Sequence, residues 1–248
     1  MKHLLAFLFA FLFAWGANLS AQTFRVRAEL GAAGVLDISQ SVGHSAEIGL
    51  ETLIPLSPRT FLVPEAGIQF RSYTLNRVDN FPLDIIGQIP VNFIANEEYQ
   101  INRSAAMVGL GIEQHLDRLR IQVGTRVAHR LSDRITFSET EVFNPINSRL
   151  DNVFSVTVDP AEQFTQGMQT GTISFNNQII LSSGLSIRYD LTGNFELGFS
   201  VWRTIGNNRL ERRVISFCEG CPVDENNPPE VDLPAGTTVL QLSSRFTF

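Results

Sequence analysis

Apolar and polar residues alternate at every second position along most of this chain, and this period restricts the secondary structure it can form. In the final segment, Leu240, Leu242, Phe246 and Phe248 fall on one side, with polar residues on the other. A period of two places side chains on opposite faces of a β-strand, whereas an amphipathic helix has a period near 3.6. The pattern therefore predicts an all-β protein whose strands each have one apolar face.

Eight segments share this alternation. A tilted strand needs about 9–11 residues to cross a membrane, and each segment is long enough to do so. A soluble β-sandwich would give the same alternation, but it would normally have Lys on its solvent-facing side, and no segment here contains one. The eight segments are residues 24–35, 45–56, 60–75, 98–116, 118–131, 172–190, 195–204 and 237–248.

The links between these segments alternate in length. Short and long links follow each other in turn, so in an up-and-down arrangement all short turns lie at the end that also holds both termini. Outer-membrane barrels have this asymmetry. We therefore predict an eight-stranded antiparallel up-and-down transmembrane β-barrel. Its short periplasmic turns are at 57–59, 117 and 192–194, and its long extracellular loops are at 36–44, 76–97, 132–171 and 206–236.

The N-terminus has the layout of a secretory signal peptide. Lys2 precedes a purely apolar run at 4–15, which is shorter than the roughly 20 residues of a spanning helix, and Ala21 ends a plausible cleavage site. The alternative is a buried N-terminal helix, which the lack of a polar face disfavours. We predict a signal peptide at 1–21 and a barrel domain at 22–248.

The charge balance limits the partners of the exported chain. Lys2 is the one Lys of the sequence, so the chain beyond the signal peptide has 18 Arg and no Lys, compared with 25 acidic residues. An acidic chain of this kind is not suited to bind nucleic acid.

The polar faces of the strands indicate a barrel interior lined by charge. Buried charges are costly unless paired, so the near balance of inward acids and Arg favours a filled lumen. The inward glycines leave a water-filled lumen open as the alternative. The predicted turns place Glu113 opposite Arg120 and Arg188 opposite Glu196. They also place Glu51 and Glu65 face to face, which requires Arg25 or Arg27 between them. The predicted lumen network is Glu29, Glu47, Glu51, Glu65, Arg71, Glu113, Arg120, Arg126, Arg188, Glu196 and Arg245.

Two cysteines, Cys218 and Cys221, lie in the last long loop. A redox pair of cysteines normally lies at the start of a helix, and no helical pattern surrounds these two. A zinc site needs about four ligands, and the sequence has no second pair of cysteines. We expect a local disulfide in an exported loop. The acidic residues of the long loops could also hold calcium, but no Asp/Asn ladder is present. We predict no cofactor and no metal site.

The longest loop contains a further alternating stretch at 153–158, which could extend the barrel as a hairpin above the membrane. Long loops on a rigid scaffold are the natural place for an extracellular ligand.

The signal peptide followed by Gln22, the loop asymmetry and the terminal Arg-Phe-Thr-Phe resemble the small eight-stranded outer-membrane barrels, namely the OmpA-type transmembrane domain and the barrel-domain proteins of Bacteroidetes. The resemblance implies a monomer in the outer membrane, surrounded by lipid and lipopolysaccharide. It also implies recognition by the barrel-assembly machinery through the C-terminal strand, with Phe246 and Phe248 as the signal.

Some barrels of this size are lipid-modifying enzymes, which need His with Ser or Asp near the outer rim. By position, His44 falls in the first loop, His115 near a periplasmic turn and His129 on the lipid face, so no catalytic group converges. We expect a non-catalytic barrel with a plugged lumen, whose outer loops serve surface interaction or envelope structure. A narrow pore for ions or small solutes is the alternative, and a lipid-modifying enzyme is the second alternative.

Overall fold

The computed structural model describes residues 23–35, 41, 43–85, 89–144, 148–158, 163–166, 169–216 and 231–248. The predicted signal peptide and the Cys218–Cys221 disulfide lie outside these residues. No helix within the described ranges is long and apolar enough to cross a membrane.

The described residues form thirteen β-strands. Eight of them form a closed ring in the order β4-β3-β2-β1-β13-β10-β9-β5, which is completed by pairing of β5 with β4. All these pairings are antiparallel, as predicted. The strands are β1 (Thr23–Gly34), β2 (Gly43–Ser57), β3 (Thr60–Ile85), β4 (Ile89–Leu116), β5 (Leu119–Asn144), β6 (Ser148–Val158), β7 (Gln163–Gln166), β8 (Gln169–Phe175), β9 (Ile179–Asp190), β10 (Phe195–Ile205), β11 (Arg209–Ser216), β12 (Val231–Pro234) and β13 (Thr238–Thr247).

The first and last strands close the ring, as the sequence predicted. Val26 pairs with Phe246 and Leu30 with Leu242, and the Phe248 amide donates to the Phe24 carbonyl at 3.0 Å. The three short turns lie at this same end, which we call the short-turn end. The turn between β4 and β5 places Asp117 at a positive φ of 53°, a conformation that Asp tolerates well. The predicted asymmetry of the links is confirmed.

Three ring strands run far beyond their predicted ends. β3, β4 and β5 have 26, 28 and 26 residues, so most of the predicted loop at 76–97 is a continuation of the β3–β4 hairpin. Much of the predicted loop at 132–171 is also strand, because β6 pairs with the extension of β5 from Asp133 to Phe143. The extra hairpin considered for the stretch at 153–158 is therefore present, as part of β6. These extensions and β6 form a tall wall on one side of the ring.

The predicted strand at 172–190 is wrong as a single element. It is divided at Asn176, Asn177 and Gln178 into β8 and β9. β9 belongs to the ring, whereas β8 pairs with β11 and β7 in a second sheet of order β12-β11-β8-β7. The division occurs where the Asn176 amide donates to the Arg209 carbonyl, so that the chain leaves the ring for the second sheet.

Between the wall and the second sheet lies an apolar cluster, which we call the outer core. Its members come from both structures, so it holds them together at the end opposite the short turns. A partly buried Leu233 packs against it. The outer core consists of Val35, Tyr73, Leu75, Tyr99, Ile101, Ile135, Phe137, Ile173, Phe175, Leu210 and Ala235.

A β-bulge interrupts the alternation in the ring. Ser104 pairs with Ser132 and the next residue, Ala105, pairs with Arg130, so Leu131 is the additional residue in β5. An additional residue reverses which face the following side chains occupy. In the part of β5 after the bulge, side chains that an unbroken alternation would place outside therefore point into the ring, and the reverse.

Candidate functional site: the ring interior

The inward-facing side chains of the ring are charged and closely packed. All members of the predicted network except Arg120 are almost fully buried. Two further inward residues, Arg25 and Arg27, have no exposed surface at all. Arg120 lies near the short-turn end with its side chain 14 % exposed. The structure therefore places these side chains in the ring interior.

At the middle of the ring, two acids face each other and an Arg joins them. Glu51 pairs with Glu65 across β2 and β3. Arg27 reaches between them, with Nη1 at 3.6 Å from Glu51 Oε1 and in direct contact with Glu65 Oε2. The sequence required Arg25 or Arg27 at this place, and the structure shows Arg27. Unlike charges that alternate in this way compensate each other where water is excluded.

Two further Arg extend this middle layer across the ring. Arg126 Nε donates to Glu65 at 2.7 Å and its Nη1 to Glu47 at 2.9 Å. On the opposite wall, Arg245 donates to Glu29 at 2.9 Å and its Nε lies 2.8 Å from Glu51. Each carboxylate thus meets more than one guanidinium, and the ion pairs form one network rather than isolated pairs.

A second layer lies towards the short-turn end. Arg25 Nη2 donates to Glu113 at 2.6 Å, and its Nη1 donates to Glu196 at 3.1 Å. Arg188 Nε donates to Glu196 at 3.0 Å and also contacts Glu113. His115 Nε2 lies 2.6 Å from Glu113, and its ring stacks on Phe61 with centroids 4.2 Å apart.

Two predicted cross-strand pairs are wrong in register. The turn between β4 and β5 is at Asp117 and Arg118, one residue later than assumed, so Glu113 faces Gln122 and Arg120 faces His115. Arg120 instead binds Asp190 at 3.0 Å.

The β9–β10 turn similarly places Arg188 opposite Gly198 rather than Glu196. Arg188 and Glu196 nevertheless meet on the diagonal, because two long side chains can span the offset.

The layer nearest the outer core contains an acid that the sequence placed in a loop. Asp133 follows the bulge, so its side chain points inward, where it accepts from Arg103 Nε at 2.7 Å and from Arg130 Nη1 at 3.1 Å. Arg71 Nη1 donates to the Thr237 hydroxyl at 2.7 Å. An irregularity that adds one residue leaves little trace in an amino-acid pattern, so the inward position of Asp133 was not predictable from β5 alone.

An aromatic residue that the sequence reasoning missed fills the ring beside these charges. Trp202 is 1 % exposed, and the Arg126 guanidinium lies 3.3 Å from its ring centre. Gly184 makes room for it, since a Cβ there would clash with the Trp202 ring. At Gly109, likewise, a Cβ would meet the Glu65 side chain. These glycines accommodate large neighbours in a packed interior.

The three histidines within the described residues do not converge. His44 lies at the start of β2 rather than in the predicted first loop and is exposed on the outside. His129 also faces outward, opposite Ala106, and His115 lies inside near the short-turn end. No group of three or more His, Cys, Asp or Glu among the described residues could hold a metal ion.

The outside of the ring is apolar around its whole circumference. Large side chains from every strand are exposed there, with Leu30 at 65 % and Phe199 at 63 %, and they form a continuous band. A band of this extent is far larger than the apolar patches of soluble monomers and matches the lipid-facing belt of membrane barrels. The ring is a transmembrane β-barrel. The band includes Phe24, Ile48, Leu50, Ile68, Phe70, Leu110, Ile112, Val123, Val127, Leu185, Ile187, Leu197, Val201, Leu240, Leu242 and Phe246.

Comparison with known proteins finds solved structures of similar fold but does not assign the chain to a family. No family model matches the chain, and no curated protein matches it. Neisserial surface protein A is 10 % identical, covering 92 % of this chain and 100 % of its own, with a TM-score of 0.37. A major outer membrane protein of Thermus thermophilus is 17 % identical, covering 92 % of this chain and 100 % of its own, with a TM-score of 0.39. Ail, the attachment invasion locus protein of Yersinia pestis, is 6 % identical, covering 92 % of this chain and 97 % of its own, with a TM-score of 0.36. The barrel assignment rests on the closed hydrogen-bonded ring and its apolar exterior.

Proposed function

We propose that this protein is a non-catalytic outer-membrane barrel whose lumen is closed to solutes and whose outer wall and second sheet provide a surface for interaction or envelope structure. The observation that carries the proposal is the continuous network of buried ion pairs across the ring. Its central charges, including Arg25, Arg27 and Glu113, have no exposed side-chain surface. A permeating ion would need to separate pairs that water does not reach.

The outer core is a second barrier to ions, in addition to the charged network in the ring. It lies on the path from the ring interior to the outside, and Leu75, Tyr99, Ile101, Ile135 and Phe137 have no exposed surface. An ion leaving the charged layers at this end would have to pass through apolar side chains, where its solvation is lost. Two barriers of different chemistry therefore lie in series.

The architecture favours the outer membrane as the location. A closed barrel leaves no strand edge unpaired in lipid, and short turns at one end with longer structures at the other are typical of outer-membrane barrels. We propose lipid and lipopolysaccharide as the surroundings of the apolar band. We further propose recognition of β13 by the barrel-assembly machinery, with Phe246 and Phe248 exposed at the short-turn end as its contact points.

The wall and the second sheet suit a binding surface better than a mobile loop would. They are hydrogen-bonded strands fixed to each other by the outer core, so a ligand would meet a preorganised surface and lose little entropy to ordering. We propose that an extracellular ligand of this monomeric barrel binds there.

Planar-bilayer conductance of the refolded protein tests the closed lumen. We expect no conductance steps from the wild-type chain. As a positive control, the triple variant Arg27→Ala, Glu65→Ala and Arg126→Ala removes the centre of the network and should admit ions if it folds, which heat-modifiable gel migration would verify. Steady, ion-selective steps from the wild-type chain would contradict the proposal and favour a narrow pore.

A further inference from the structure

The layer nearest the outer core has more positive than negative charge, unlike the layers below it. Arg71, Arg103 and Arg130 meet there, and Asp133 is the carboxylate in direct contact with Arg103 and Arg130. Glu47 lies 3.7 Å from Arg71, but it is held more closely by Arg126, at 2.9 Å. We call Arg71, Arg103, Arg130, Asp133 and Tyr73 the upper cluster. Its three guanidinium groups share little more than one carboxylate.

Several hydrogen-bond donors in this cluster have no partner among the described residues. They are Arg71 Nε, Arg103 Nη2, Arg130 Nε and Nη2, and the Tyr73 hydroxyl. Tyr73 is 1 % exposed, Arg103 4 % and Arg71 5 %. A buried donor without a partner destabilises the folded state, and more so when it is charged. Five such donors in one place indicate a missing acceptor rather than separate defects.

These donors belong to one site. Arg71 pairs directly with Arg103 across β3 and β4, Arg103 pairs with Asp133 across β4 and β5, and Tyr73 lies two residues after Arg71 on the same face of β3. Phe175 of the outer core closes the site from above, since its ring centre lies 4.3 Å from the Arg103 guanidinium carbon and 4.6 Å from that of Arg130. The surroundings combine positive charge, free donors and an apolar roof.

We propose that the upper cluster binds a small monovalent inorganic anion of the halide class. A water molecule could accept from the free donors but would leave the excess positive charge uncompensated. An anion satisfies both requirements, because N–H and O–H donors that surround it also face its charge. Arg130 provides the route of entry, since its side chain is 8 % exposed, compared with 4 % for Arg71 and 2 % for Arg103.

Thermal unfolding of the refolded protein in detergent tests this proposal, with chloride exchanged for gluconate at constant ionic strength. Gluconate is too large for a site enclosed by Phe175. We expect the Tm to rise with chloride concentration and to saturate, because an anion bound only to the folded state stabilises it by mass action. A Tm that is the same in both salts would overturn the proposal.

Three variants separate a bound anion from a general salt effect. Arg103→Met should abolish the dependence on chloride. In Arg120→Met, the control at the short-turn end, the dependence should match the wild type. Tyr73→Phe is the sharper test. Without an anion, losing an unpartnered hydroxyl is neutral or stabilising, whereas with an anion the half-maximal chloride concentration should rise about fivefold, the equivalent of one hydrogen bond. An equal chloride response in Arg103→Met and the wild type would refute the site.

A direct observation is independent of variant folding. Crystals grown in bromide and measured at its absorption edge should show an anomalous peak among Arg71, Arg103 and Arg130. Absence of that peak in well-ordered crystals would overturn the proposal. The outcome is separate from the conductance test, because a barrel can be closed with or without a bound anion.

Discussion

At the residue scale, Glu65 is the junction of the buried network. Its carboxylate binds Arg126 at 2.7 Å and contacts Arg27, and both partners are buried. We predict that Glu65→Gln lowers the free energy of unfolding by about 3–5 kcal/mol, because it leaves two guanidinium groups undercompensated where water is absent. Denaturant titration in detergent micelles measures this change. Asp190→Asn is the matched control, and its loss should stay below about 1 kcal/mol because that pair is partly solvated, with a carboxylate 15 % exposed. Equal losses would contradict the network.

A second residue-scale prediction concerns Tyr99, which lies in the extension of β4 beyond the apolar band. Burial raises the pKa of its phenol well above the ordinary value, Arg212 opposes the rise, and the Glu97 carboxylate, which accepts from the hydroxyl at 3.0 Å, adds to it. Above the ordinary phenol pKa, the unfolded chain loses this proton while the folded chain keeps it. Stability therefore falls as the pH rises from about 10.

We expect Tyr99→Phe to flatten this alkaline decline, as measured by the thermal midpoint between about pH 8 and 11. At neutral pH the variant should lose about 1 kcal/mol with the hydrogen bond. Tyr189→Phe, at a half-exposed hydroxyl on the outside, should decline like the wild type. A decline in Tyr99→Phe as steep as that of the wild type would contradict the assignment.

The inward residues were predictable from parity, but their partners were not. Each strand carries its own two-residue period, so Glu29, Arg126 and Arg245 were assigned to the interior without any knowledge of pairing. Partners depend on register, which turn position decides, and a one-residue error moved Glu113 away from Arg120. Asp133 and Trp202 also escaped the prediction. The first follows a bulge, and the second is an apolar residue on an otherwise polar inner face.

At the element scale, the strands that cross the apolar band were the predictable ones. In lipid the outward face must be apolar, so the alternation is strong in β1, β2, β10 and β13, and their bounds differ from the prediction by few residues. Beyond the band the outward face meets water, and alternation is no longer required. The extensions of β3, β4 and β5 therefore resembled loops in composition.

This difference leads to a prediction about the wall. Removing residues 78–96, and joining Arg77 to Glu97 with an Asn-Gly turn, keeps the register of β3 and β4, since these two residues are paired. We expect the ring to fold and to retain heat-modifiable gel migration. As a contrast, deleting only Gly67 and Ile68 shifts β3 against both neighbours within the ring. That small deletion should abolish the gel shift, and its retention would contradict the ring register.

At the scale of the whole molecule, the protein has three zones stacked along one axis. Charged layers lie inside the ring, the upper cluster lies above them, and the outer core lies at the end opposite the short turns. The sequence predicted the first zone as a near-neutral lumen. The other two depend on contacts between the wall and the second sheet, such as that of Phe175 with Arg103, which join residues far apart in the chain and have no local signal.

The length of the wall sets how far the strands extend beyond the apolar band. The 28 residues of β4 span about 90 Å at a rise of about 3.3 Å each, or about 70 Å of height at a tilt of about 40°. The apolar band accounts for about 25 Å of that height. The far ends of β3 and β4 therefore lie about 45 Å beyond the apolar band.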